Sequence, residues 1–124
     1  MTVTEINPVG NFETWSQKMM SEVAKGRFSD EIGQLLFENE EIRLWEIVLE
    51  PGERKPFRYH FNNFSCTYFT DGLLVVRNIN GKVILKRFDK GNHYFFEYQS
   101  VIVSDVENIG ENAVKIALVE EKIN

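Results

Sequence analysis

Arg58 and His60 stand in the run Pro56-Phe57-Arg58-Tyr59-His60-Phe61. Strand alternation places both on one face, with Phe57, Tyr59 and Phe61 on the other. A guanidinium offers a planar fork of donors suited to carboxylate or phosphate, and an imidazole beside it adds a donor that can charge near neutral pH. The pair therefore predicts capture of a small anion. Metal chemistry suits it poorly, because arginine keeps its proton and repels a cation. His93 or an inward carboxylate is the remaining source of ligands, so neither metal nor cofactor is expected. A purely structural reading competes: Arg58 paired with Glu46 or Glu97, and His60 satisfied within the core.

These residues need a sheet to position them, and most of the chain reads as short strands. Residues 56–61 and 64–70 flank Asn62-Asn63, and asparagine tolerates the left-handed backbone of a tight hairpin. Further strands are predicted at 34–37, 42–49, 73–78, 82–88, 93–98, 101–107 and 113–120, with a strong hairpin signal at Asn80-Gly81. About nine short strands with regular turns indicate a closed or sandwiched antiparallel architecture. Residues 1–10, with Pro8 and Gly10, read as an arm or loop. An amphipathic helix is predicted at 12–25, with Asn11 as N-cap and Gly26 as C-cap. Phe12, Trp15, Met19 and Val23 share the face that packs against the domain or a partner. Residues 1–30 form an N-terminal arm and helix, and 31–124 the β-domain.

The chain of 124 residues is long enough for one domain with a real core, and its 43% hydrophobic content includes ten Phe, four Tyr and two Trp. A net charge of −5 argues against nucleic acid, which demands a basic footprint, and against anionic membrane surfaces. The lone Cys66 excludes an intramolecular disulfide and a thiolate cluster. No signal peptide and no apolar run of membrane-spanning length is apparent, so a reducing, cytoplasmic setting is expected.

The stretch GERKPFRYHFNNFSCTYFTDG, from Gly52 to Gly72, resembles the first motif of the cupins, in which two histidines and a glutamate lie between spaced glycines. Gly52 and Gly72 fall on the glycines, Arg58 and His60 on the histidines, and Ser65 on the glutamate. The second motif is more divergent. Anchored on Gly91 it puts Ile102 at the histidine position, and His93 is one residue out of register for a shortened alignment. Anchored on Asn108, which keeps the Asn-x-Gly turn Asn108-Ile109-Gly110 intact, it puts Ser104 there. From about Glu38 to Lys122 the layout is similar to small single-domain cupins of the RmlC-like class, including those linked to β-alanine degradation. The resemblance implies an all-β double-stranded β-helix, a jelly-roll barrel preceded by one helix. Its site would be Arg58, His60, Ser65 and Ser104, a metal-free set of anion donors, with Cys66 pointing away from the interior. It also implies a rival use, proton abstraction beside a sugar carbonyl by His60 with Tyr68, Tyr94 or Tyr98 as acid; Asp105, facing opposite Ser104, would not orient the imidazole. Homodimers are common in the family, so a dimer through the outer sheet and the helix is expected. A third possibility is a structural or regulatory dimer with a filled barrel.

Overall fold

The computed structural model describes residues 1–29, 31–97 and 101–122. Ten strands and one helix follow in order: β1 (Thr2–Asn7), α1 (Gln17–Lys25), β2 (Gln34–Glu38), β3 (Ile42–Leu49), β4 (Arg54–His60), β5 (Phe64–Tyr68), β6 (Gly72–Asn78), β7 (Val83–Phe88), β8 (His93–Phe96), β9 (Ile102–Asn108) and β10 (Val114–Glu121). They form two antiparallel five-stranded sheets. The first has the order β1-β7-β6-β9-β4 and the second β2-β3-β10-β5-β8. From β3 onward the chain repeatedly crosses between them, and only β6 and β7 are consecutive neighbours in one sheet.

The core lies between the sheets, where Trp45, Ile47 and Leu49 of β3 and Ile116 and Leu118 of β10 meet Leu74, Phe88 and Val106 from the first sheet. Alternation along each strand supplies these inward side chains. Gly72 sits where any Cβ would come within 2.5 Å of the Phe88 ring and 2.7 Å of Val114, so the strand can approach only without a side chain. A smaller cluster lies on the outer face of the first sheet. There Trp15 stacks on Phe57 with centroids 5.2 Å apart, and Val103, Met19 and Val23 close around them.

Most strand positions agree with the sequence reading, and the departures have local causes. The two sheets face each other without closing into a barrel, because the crossing segments hand the chain from one sheet to the other and the edge strands stay unpaired with the opposite sheet. Residues 2–7, read as an arm or loop, pair with β7 as an edge strand, Thr4 opposite Leu85. The helix begins later than predicted. Ser16 caps it by accepting from the Met19 amide at 3.2 Å, while Asn11 accepts from Glu13 in a preceding turn. Gly26 ends it at φ 64°, as expected. Asn80-Gly81 joins β6 to β7 as a hairpin, with Gly81 at φ 97°.

Asn62-Asn63 does not make a hairpin. β4 and β5 belong to different sheets, and among the described residues only glycines have positive φ. Asn62 is instead buried and donates from Nδ2 to Glu120 at 3.0 Å. The β8 strand ends at Phe96, so the expectation for Tyr98 lies outside the described residues.

Candidate ligand-binding site

A cavity of about 100 Å³ lies between the sheets, with Arg58, His60, Cys66, Tyr68, Lys86 and Ser104 on its wall among Leu74, Val76, Phe96, Ile116 and Leu118. β4 delivers Arg58 and His60 from one edge. Its neighbour β9 sets Ser104 opposite Arg58 in register, so these three predicted site residues do come together. Arg58 is buried, donates from Nη1 to the Ile32 carbonyl at 2.7 Å, and turns Nε toward His60 Nε2 at 3.4 Å. Phe57 faces the opposite side, as alternation requires, against Trp15.

Ser65 is the exception. It stands half-buried on the outer face of the second sheet, between Val119 and Phe95. Cys66, expected to point outward, lines the cavity with Phe64 and Tyr68. The expectation for Ser65 rests on its place in the motif, and that for Cys66 on following it; plain alternation on from His60 instead gives Phe64, Cys66 and Tyr68 inward, as found. His93 is also outside: it is exposed, with Nδ1 2.8 Å from the Thr67 hydroxyl. Of the carboxylates suggested as partners for Arg58, Glu46 faces outward 3.7 Å from Lys115, and Glu97 is exposed. Of the tyrosines proposed as acids, Tyr68 alone is on the cavity wall among the described residues.

Lys86 is the residue that the sequence reading missed. It stands opposite Leu74 in the β6–β7 pair, and therefore on the inner face with Phe88. The signal was the two-residue spacing from Phe88; a lysine beside Arg87 at the end of an apolar run reads more readily as solvent-facing. Its Nζ lies 4.6 Å from the centroid of the Phe96 ring, which reaches across from the second sheet. Among the described residues no carboxylate pairs with it.

Burial, with Arg58 and then Lys86 nearby, depresses the His60 pKa to about 3, so the imidazole is neutral at physiological pH and does not charge as expected. Burial likewise lowers Lys86 and raises the Cys66 thiol and Tyr68 phenol, keeping both of the latter uncharged. Asp105 touches the cavity wall, but its carboxylate is taken on the other face. It accepts from Arg54 at 2.7 Å and from Arg77 at 3.0 Å, and faces opposite Ser104 as predicted. Lys86 thus faces no ionised thiol, phenol or imidazole on the cavity wall.

No family model and no curated protein matches the sequence. Solved structures do resemble the fold. A cupin domain from Bordetella pertussis Tohama I superposes with a TM-score of 0.65 at 18% identity, over 78% of this chain and 98% of that one. An RmlC-like cupin family protein with a double-stranded β-helix fold from Methanocaldococcus jannaschii gives 0.57 at 18%, over 77% and 84%. A Cupin 2 conserved barrel domain protein from Salinispora arenicola gives 0.53 at 12%, over 79% and 83%. The chain has the cupin fold. At these identities the likeness concerns architecture alone and carries nothing about β-alanine degradation.

The resemblance to the cupin motifs raises the question of a metal, and the donor set does not fit one. The motif positions hold Arg58, which repels a cation, Ser65, which points away, and Ser104, a weak ligand; His60 is the single imidazole. Among the described residues no three His, Cys, Asp or Glu side chains converge.

Proposed function

We propose that this protein binds a small anionic molecule in the cavity between its sheets, through Lys86 and Arg58 with help from Ser104. The observation that carries the reading is Lys86: a half-buried lysine whose amine rests in a wall of Leu, Val and Phe, with an aromatic ring as its contact and no carboxylate among the described residues. Desolvating a cation without a counter-charge is costly, and a bound carboxylate or phosphate offsets that cost. His60, neutral and facing the Arg58 guanidinium, shapes the wall. The same features weaken the rival use of His60 as a base for epimerisation, since its Nε2 already faces a donor and its basicity is low.

Calorimetric titration with small carboxylates, phosphate and sugar phosphates tests the reading. At least one anion should bind the wild type, and Lys86→Met should abolish that binding. Absence of binding by every anion, or equal binding of neutral sugars, would refute it. The proposal includes a soluble, cytoplasmic setting and a homodimer. A row of outward side chains supports the dimer: Phe37, Leu44, Val119, Ser65 and Phe95 lie in register across the second sheet. Phe37 and Phe95 are each 50% exposed. The apolar stripe of α1 is spent on its own sheet, so the dimer surface is assigned to the second sheet alone.

A further inference from the structure

Resting on the anion site just proposed, we propose that its ligand is a short-chain monocarboxylate, with the carboxylate at Lys86 and the alkyl chain against Val76 and Val106. The strand register supports the placement. On the inner face of the first sheet Lys86 stands opposite Leu74, Val76 opposite Val106, and Ser104 between Asn78 and Arg58. Leu74, Val76 and Asn78 alternate along one face of β6, so these are three successive rows, and the valines separate Lys86 from Arg58. Phe96, Ile116 and Leu118 complete the wall from the second sheet. A charged end at Lys86 thus borders an apolar slot.

Hydrogen-bonding capacity elsewhere on the wall is engaged. Arg58 donates to the Ile32 carbonyl and turns Nε to His60, and Asp105 is held by Arg54 and Arg77. The Cys66 thiol and the Tyr68 hydroxyl bond each other. A second carboxylate or a phosphate dianion would have to draw Arg58 from its partners, and hydroxyls along the valines would be buried unpaired. A single carboxylate on an alkyl chain needs neither. It also keeps Lys86 protonated against the burial that disfavours its charge, while the same wall favours the chain. Size limits that chain: a dry cavity of about 150 Å³ takes benzene, so one of about 100 Å³ takes on the order of five heavy atoms.

Calorimetric titration of the intact protein with acetate, propionate, butyrate, hexanoate, lactate, succinate and inorganic phosphate tests the assignment. Affinity should rise about fourfold for each methylene from acetate to butyrate and gain nothing further at hexanoate. Lactate, succinate and phosphate should each bind about tenfold or more weakly than propionate. Lys86→Met, its fold checked by circular dichroism, should lose the whole carboxylate series. Lactate, succinate or phosphate binding as tightly as propionate overturns the monocarboxylate and leaves the anion site standing. So does a flat carboxylate series, or one still gaining at hexanoate. A series retained in Lys86→Met, or no binding by any anion, overturns both.

Discussion

His60 shows how a neighbourhood rewrites a residue's chemistry. Its sequence context suggested a group charging near neutrality, yet burial first, and Arg58 and Lys86 after it, depress its pKa to about 3. In the unfolded chain the imidazole returns to its ordinary value, so between pH 6.5 and about 3 the unfolded state binds a proton that the folded state refuses. The stabilisation from a neutral His60 is complete above the unfolded pKa and is lost as pH falls toward the folded one. The limiting slope is about 1.4 kcal/mol per pH unit. Urea unfolding from pH 7 to 4 should therefore show a steeper acid limb in the wild type than in His60→Gln. Parallel limbs would mean that His60 is not held neutral. Metal content belongs to this scale as well. Elemental analysis of tag-free protein purified without chelators should find no stoichiometric transition metal, since Arg58 and Ser65 replace ligands; near-stoichiometric iron, manganese, nickel or zinc would contradict the donor-set argument.

At the scale of elements, two devices hold the site in place. The first is the turn after β9. Asn108 is wholly buried and donates from Nδ2 to the Leu49 and Asn112 carbonyls, both at 2.9 Å, while its Oδ1 accepts from the Gly110 amide. Asn108→Ala leaves those carbonyls unpaired and should cost about 2–4 kcal/mol in chemical unfolding; a loss below the error of the measurement would show that water replaces the side chain. The second is the anchor of α1. Glu22 grips Arg54 through both carboxylate oxygens at 2.7 and 3.0 Å, and Arg54 in turn holds Asp105 behind the site. The hydrogen bond from Arg54 is the foremost reason that Glu22 has a lowered pKa. Its contribution is therefore present above the ordinary carboxylate value and lost as pH falls through the lower folded one. Glu22→Gln should speed hydrogen exchange of the α1 amides while leaving β9 protected; unchanged exchange would assign the docking to Trp15 and Phe57 alone.

Much of this was legible in the sequence, for reasons that differ by element. The Asn-x-Gly turn at Asn108-Ile109-Gly110 and the Asn80-Gly81 hairpin are local signals whose geometry depends on a few adjacent residues. The facing of Arg58 and His60 followed from alternation within one strand. Ser65 and Cys66 were exchanged because Ser65 was set inward by its place in the motif, whereas the alternation that puts Arg58 and His60 on the wall also puts Phe64, Cys66 and Tyr68 there. Lys86 was missed because a lysine next to Arg87 reads as solvent-facing. Its inward position is set by Phe88 and Leu74, and only the paired sheet makes a lysine part of a cavity wall.

For the whole molecule, the outer face of the second sheet and the central cavity carry the account. The row from Phe37 to Phe95 predicts a dimer, and light scattering coupled to size exclusion should give about twice the mass of 14.5 kDa; a monomer at all concentrations would remove that assignment. The central claim concerns the cavity, and the most direct measurement compares urea unfolding of the wild type with Lys86→Met. Both are measured in a low-salt zwitterionic buffer, and again with excess acetate at matched ionic strength. Without acetate the variant should equal or exceed the wild type, because a desolvated charge has been replaced by an apolar chain of similar length. Acetate should then stabilise the wild type, by about 2.7 kcal/mol at a hundred times its dissociation constant, and leave the variant unmoved. A variant that is less stable than the wild type without acetate, and shifts with acetate by the same amount, would contradict an anion site at Lys86.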